Sequence, residues 1–297
     1  MNKKLFIISI VLVRMLFGQN STGYSFLKIG IGGAEMALGG ASVSKFNSVF
    51  SSFYNPALAN ENKFTSFGLM HNEWIQDVKT EVLVSSYNAF GFPLWIQLNS
   101  TNVANIEIRK KPGEPEGTFD AHYFSLIGGT GFRIKERLLA GFSLKYLYEN
   151  IFVDESNGYA LDFGLLYKNL IENVNLGFSF RNIGKVNSLS SESPDLPQEI
   201  RLGISSFNFF SINKFVFNPT LELISFIKSK ETNFIIGMEV DYNGFLKLRT
   251  GYRSGNLLNN YSLGIGLVYG RFNFDFAYIP FKNNFGNATI ISLQLNL

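Results

Sequence analysis

After residue 18, no stretch of this 297-residue chain comes near the ~18–20 consecutive apolar residues of a membrane-spanning helix. Apolar residues instead recur at every second position. Between Leu138 and Glu149 one parity carries Leu138, Ala140, Phe142, Leu144, Tyr146 and Tyr148, and the other Leu139, Gly141, Ser143, Lys145, Leu147 and Glu149. Successive side chains of a strand point to opposite faces, so this period makes one greasy face and one mixed face. Tyr159, Leu161, Phe163, Leu165 and Tyr167 repeat the pattern, as do Val174, Leu176, Phe178 and Phe180, and Ile291, Leu293, Leu295 and Leu297 end the chain with it. A helical membrane protein is excluded, and the chain must fold into sheet with two unlike faces.

The pattern predicts fourteen strands, at 64–72, 80–88, 90–100, 121–132, 136–149, 158–168, 173–182, 198–207, 214–226, 232–242, 244–252, 260–269, 271–279 and 288–297. Bacterial outer-membrane barrels close on even numbers of antiparallel strands, with short periplasmic turns and longer outside loops. The links here follow that two-beat rhythm. Short ones fall at Asn88-Ala89, 133–135, 169–172, 208–213, Asn243 and Gly270, and mostly longer ones at 73–79, 101–120, 150–157, 183–197, 227–231, 253–259 and 280–287. Val103 to Arg109 is assigned to a long loop because Lys110-Lys111-Pro112-Gly113-Glu114-Pro115 follows. A soluble sandwich would also bury greasy rows, but it has no reason for the rhythm.

Composition agrees. The chain is 46% hydrophobic and only 16% charged, with 31 Phe and 13 Tyr, which suits rows facing lipid between aromatic girdles. The expected fold is all-β: a 14-stranded antiparallel transmembrane β-barrel of outer-membrane type with an N-terminal plug or hatch segment. Met1–Gly18 reads as a signal peptide, with Lys3 and Lys4 before the apolar run Leu5–Val13. The expected division is signal 1–18, plug 19–62 and barrel 63–297, with both termini in the periplasm. Three of the 26 basic residues, Lys3, Lys4 and Arg14, lie in that leader, and the others balance the 23 acidic ones. No electrostatic footprint for nucleic acid remains, while outer-membrane lipid is the expected surroundings.

Residues 23–62 break the alternation. They contain Phe26-Leu27-Lys28-Ile29-Gly30-Ile31-Gly32-Gly33, then Met36-Ala37-Leu38-Gly39-Gly40-Ala41, then Asn55-Pro56-Ala57. This stretch resembles the N-terminal signature of the PorV/PorQ family of outer-membrane proteins, itself similar to the FadL-type fatty-acid channels. The resemblance implies that Phe26, Gly30, Gly32, Gly33, Gly39, Gly40, Asn55, Pro56 and Ala57 belong to a plug inside the barrel. It implies in the first place a non-enzymatic transport or type IX secretion-associated component, with secretion subunits or cargo as partners, and as the alternative a FadL-like channel for small hydrophobic molecules. A structural barrel that docks other proteins is the third reading. The paired glycines also suit backbone packed tightly against a wall or held at positive φ. A dinucleotide loop fails, because Glu35 stands where the third glycine is needed. Asn55-Pro56-Ala57 reads as the turn into the first strand.

Covalent chemistry finds no support. The chain has no Cys, and its two His, His71 and His122, lack a nucleophile at motif spacing and read as rim residues. No catalytic, cofactor-binding or metal-ligating residues are expected. The polar parity is more telling: Lys145, Arg181, Arg201, Lys247 and Arg249 stand against Asp162, Glu222, Glu239, Asp241 and Asp275. An ion-selective pore favours one sign. Balanced signs suit a lumen braced by internal pairs.

Overall fold

The structure, a computed structural model, describes residues 24–109, 111–188, 194–255 and 258–297. The expected leader Met1–Gly18 lies outside the described residues. The strands are β1 (Ser66–Glu73), β2 (Val78–Ala89), β3 (Phe92–Ile108), β4 (Gly117–Lys135), β5 (Leu138–Ile151), β6 (Asp154–Ile171), β7 (Val174–Val186), β8 (Glu199–Ser206), β9 (Phe210–Ile212), β10 (Phe215–Phe226), β11 (Thr232–Tyr242), β12 (Leu246–Arg253), β13 (Tyr261–Tyr269), β14 (Phe272–Pro280) and β15 (Asn287–Asn296). Every pairing is antiparallel, and β15 returns to β1 with Leu69 opposite Leu293. The result is a closed 14-stranded barrel. β9 is not a further stave, since it prolongs β8 and pairs with Phe215–Phe217 while β8 pairs with the rest of β10. Closure leaves the sheet without a free edge, as a hydrocarbon surrounding demands.

The expected strands are all present, but two expected loops are largely strand. β3 runs on through Val103–Ile108 to pair with Gly117–Phe119, correcting the assignment of Val103–Arg109 to a loop. The reason is a bulge: Ala104 and Asn105 together oppose Asp120, with Asn105 at φ 59° and its N–H donating to the Asp120 carboxylate at 3.0 Å. A bulge inserts one residue and flips the parity, which hides a strand from an alternation test. The link expected over 150–157 shrinks to Phe152-Val153. His122, expected to start a strand, lies within β4.

Facing follows the parity. Leu144 is 51% exposed and Ser143 fully buried. On β6 the outward row Tyr159, Leu161, Phe163, Leu165, Tyr167 covers roughly 26 Å of strand, which at the usual tilt of about 40° is roughly 20 Å of height, most of an apolar band bounded by aromatic rings. Beyond it, His71, Glu81 and Ser100 face one another across β1–β3, and the His71 ring meets the Glu81 carboxylate at 2.5 Å, so the surface turns polar there. Leu144→Arg is expected to cost about 2–4 kcal/mol in urea titrations of vesicle-refolded protein, and Ser100→Arg about 0–1 kcal/mol. Equal costs would mean that the band is misplaced.

Candidate functional site

The candidate site is the barrel interior. Tyr24–Asn62 lies against the inner face of the wall as short helical turns: Ser25–Lys28, α1 (Gly33–Ala37), Val49–Phe53 and Pro56–Glu61. Small residues allow the approach. A Cβ at wall Gly141 would strike the Pro56–Ala57 peptide, and one at Gly177 the carbonyl of Val43. Of the signature glycines, Gly32, Gly39 and Gly40 hold positive φ of 75–84°, while Gly33 lies against the Asp275 backbone and donates its N–H to Ser292 Oγ at 3.0 Å. Asn55 caps the Pro56–Glu61 turn, accepting from Ala57 N–H at 3.0 Å. Its Nδ2 also donates to Val43 O at 2.6 Å and to Leu165 O of β6 at 3.0 Å, so this turn residue ties two parts of the inner segment to the wall. Phe26 packs between Tyr24 and Tyr123, with ring centroids 5.9 and 5.0 Å away.

One half of the interior, from β5 to β14, carries a belt of buried ion pairs. Lys145 reaches Asp162 at 2.8 Å and Asn182 Oδ1 at 2.7 Å. Arg181 bonds Glu199, its direct cross-strand partner. Arg201 joins Glu199 and Glu222, each at 2.9 Å, and Arg249 joins Glu239 at 2.7 Å and Asp275 at 2.6 Å. The inner segment plugs into this belt: Val43 N–H donates to Glu222 at 2.9 Å, Lys45 pairs with Glu239 at 3.1 Å, and Arg201 donates to Gly40 O at 3.2 Å. The Phe53 and Tyr54 rings lie under the guanidinium groups of Arg181 and Arg201, at 4.1 and 5.1 Å.

Eight of the expected lumen charges are therefore brought together: Lys145, Asp162, Arg181, Arg201, Glu222, Glu239, Arg249 and Asp275 are all buried. Asp241 and Lys247 are not part of the belt. They pair across strands at 4.0 Å near the short-turn end, at 20% and 25% side-chain exposure. Sequence reasoning missed Glu199 and Lys45. Glu199 shares the parity of Arg201 two residues on, a signal in plain view, whereas Lys45 lies where no alternation exists to orient it.

Glu35 of α1 was also missed. It is fully buried and accepts from Ser48 Oγ at 2.8 Å and Ser51 Oγ at 2.7 Å. Burial pushes its carboxyl up to about 7, against the pull of those hydroxyls. The other half of the interior, on β14, β15 and β1–β4, carries an apolar cluster in which Met70, Val82, Val84, Trp95, Ile127, Ala277, Ile279, Ala288 and Ile290 pack on Ile31, Met36, Val49, Phe50 and Phe53 of the inner segment, beside buried polar side chains such as Asn72, Gln97, Asn99 and Gln294. At the long-link end two cavities flank residues 24–30. One, of about 370 Å³, is bordered by Ile29, Met36, Trp74, Phe226, Ile279 and Phe281, with Lys28 and Arg253 on its polar side. The other, of about 650 Å³, contains Tyr24, Phe26, Trp74, Tyr123 and Glu149. No group of His, Asp or Glu among the described residues forms a metal cluster.

No family model matches the sequence, and no curated protein matches it. Solved structures do match its shape. The toluene transporter TodX of Pseudomonas putida aligns over 90% of this chain and 98% of its own, at 13% identity and TM-score 0.62. A TodX variant described as a monoaromatic hydrocarbon channel aligns over 90% and 99%, at 12% identity and TM-score 0.65. A FadL homologue of Pseudomonas aeruginosa aligns over 93% and 98%, at 11% identity and TM-score 0.51. The chain is thus similar in fold to FadL-like outer-membrane barrels, and the likeness carries nothing particular to the PorV/PorQ group.

Proposed function

We propose that the protein is an outer-membrane channel for small hydrophobic molecules, with the inner segment as its plug and both termini on the periplasmic side. The observation that carries this reading is the floor of the smaller mouth cavity. There Trp74 and Phe281 pack edge to face, with centroids 5.2 Å apart, on the apolar cluster of Ile31, Met36, Met70, Ile279 and Ile290. A non-polar solute entering from the loops meets apolar surface on one side of the lumen, where each Å² it removes from water is worth about 25 cal/mol. The ion-paired half offers it nothing. The fold likeness to hydrocarbon channels supports this reading over the secretion-associated one, and the absence of a nucleophile–base pair in the chain's motifs supports binding without covalent chemistry.

Ile29 borders both cavities, so Ile29→Trp is expected to obstruct the entrance. Uptake of radiolabelled toluene by cells with a lipopolysaccharide outer leaflet should rise on expression of the protein. With Ile29→Trp at equal surface level it should fall back to that of cells lacking the protein. Uptake that is the same with and without the protein would sink the channel reading.

A further inference from the structure

The larger mouth cavity holds an anomaly. Glu149 projects inward from β5, at 4% exposure, between its cross-strand neighbours Tyr123 and Ser156. Among the described residues no hydrogen bond or ion pair reaches its carboxylate. Its carboxylate faces cavity water alone, in contrast to the paired acids of the belt. What surrounds it is aromatic: Tyr24, Phe26, Trp74 and Tyr123 border the same cavity. Tyr24 is held in place by its hydroxyl donating to Ser156 Oγ at 3.0 Å, and burial pushes its phenol up to about 12, so it stays a neutral ring. Ring faces carry partial negative charge and attract organic cations, whose apolar substituents also gain from leaving water.

We propose that this cavity binds an organic monocation, an alkyl- or arylammonium group seated against Glu149 with its substituents on the Tyr24, Phe26, Trp74 and Tyr123 rings. A neutral hydrocarbon would leave the carboxylate unpaired, and an anion would be repelled by it. A bare metal ion needs six or more oxygens for calcium or an octahedral set for magnesium, and the cavity's side chains offer one carboxylate with the hydroxyls of Tyr24, Ser25, Thr101 and Tyr123. The assignment rests on Glu149 and the rings about it, whereas the transport reading rests on the floor of the other cavity; Ile29 and Trp74 border both.

The test is calorimetric titration of full-length protein in a non-ionic maltoside, with phenyltrimethylammonium and its uncharged carbon isostere tert-butylbenzene. Each ligand is compared between wild type and Glu149→Gln in the same micelles, which cancels partition into detergent. The expected loss is about tenfold in affinity for the cation and none for the isostere. Tyr123→Leu, which keeps the carboxylate and removes one ring, should weaken the cation several-fold more than the isostere, and covers the case of a Gln variant that does not fold. Heat-modifiable migration on gels reports folding of each variant. Equal losses for the two ligands, or no binding of the cation by folded wild type, would overturn the proposal.

Discussion

Deletion of residues 24–60 is expected to turn a quiet barrel into an open pore. Barrels of about eight strands are filled by their own wall side chains, and those of 16–18 enclose water. Fourteen strands leave a lumen that the wall alone does not fill, and here Tyr24–Asn62 occupies it, with Leu38, Tyr54, Leu58 and the α1 residues buried against the wall. In planar bilayers the intact protein should show no steady conductance, and the deleted form large, long-lived openings. Removal admits water to the belt charges, which hydrate where they lose Lys45 and the Gly40 and Val43 backbone, so the wall is expected to close without its filling. Heat-modifiable migration on gels would report that closure. The same steady conductance from both forms would show that the segment does not seal the lumen.

Arg249→Met should destabilise the barrel by about 3–5 kcal/mol, the usual consequence of taking one partner from a buried pair. Arg249 is the ion-pair partner of Asp275, and it shares Glu239 with Lys45. Its loss leaves the buried Asp275 carboxylate without its cation. The contrast is Lys247→Met, two residues away on the same strand and the same face. Its contact with Asp241 is long, at 4.0 Å, and partly wet, so about 0–1 kcal/mol is expected. Urea titration in lipid vesicles compares the two, and adding Asp275→Asn to Arg249→Met should recover part of the loss. Similar penalties for both lysine and arginine variants would mean that burial does not govern these pairs.

The wall was legible because alternation survives in sequence wherever one face meets lipid. Leu144 and Ser143 fall as their parity requires. Register was not legible, because pairing is fixed by turns and bulges that alternation does not see. At β6–β7, Leu161 pairs with Ile183 but Phe163 with Phe180, and Asn182 takes φ 60°. That bulge turns Asn182 inward beside Arg181, so both reach the lumen, where simple alternation sends only one. In the interior, the glycine signature pointed to close packing, and close packing is found. Which wall each glycine meets depends on contacts across more than two hundred residues, such as Gly33 with Ser292. Glu149 stood on the correct parity throughout, but its lack of a partner is a property of three dimensions only.

That same separation governs how the molecule comes together. Val49 N–H donates to Gln294 and Gly33 N–H to Ser292, both on β15, the last strand made. These two contacts of the earliest described part of the chain can form only once β15 is in place beside β1. Local hairpins can form in sequence order, but the filling and the closure belong to a single late event. Contacts of such long range make folding slow. During that delay an open sheet would expose its belt of charges on one side and its aromatic rows on the other.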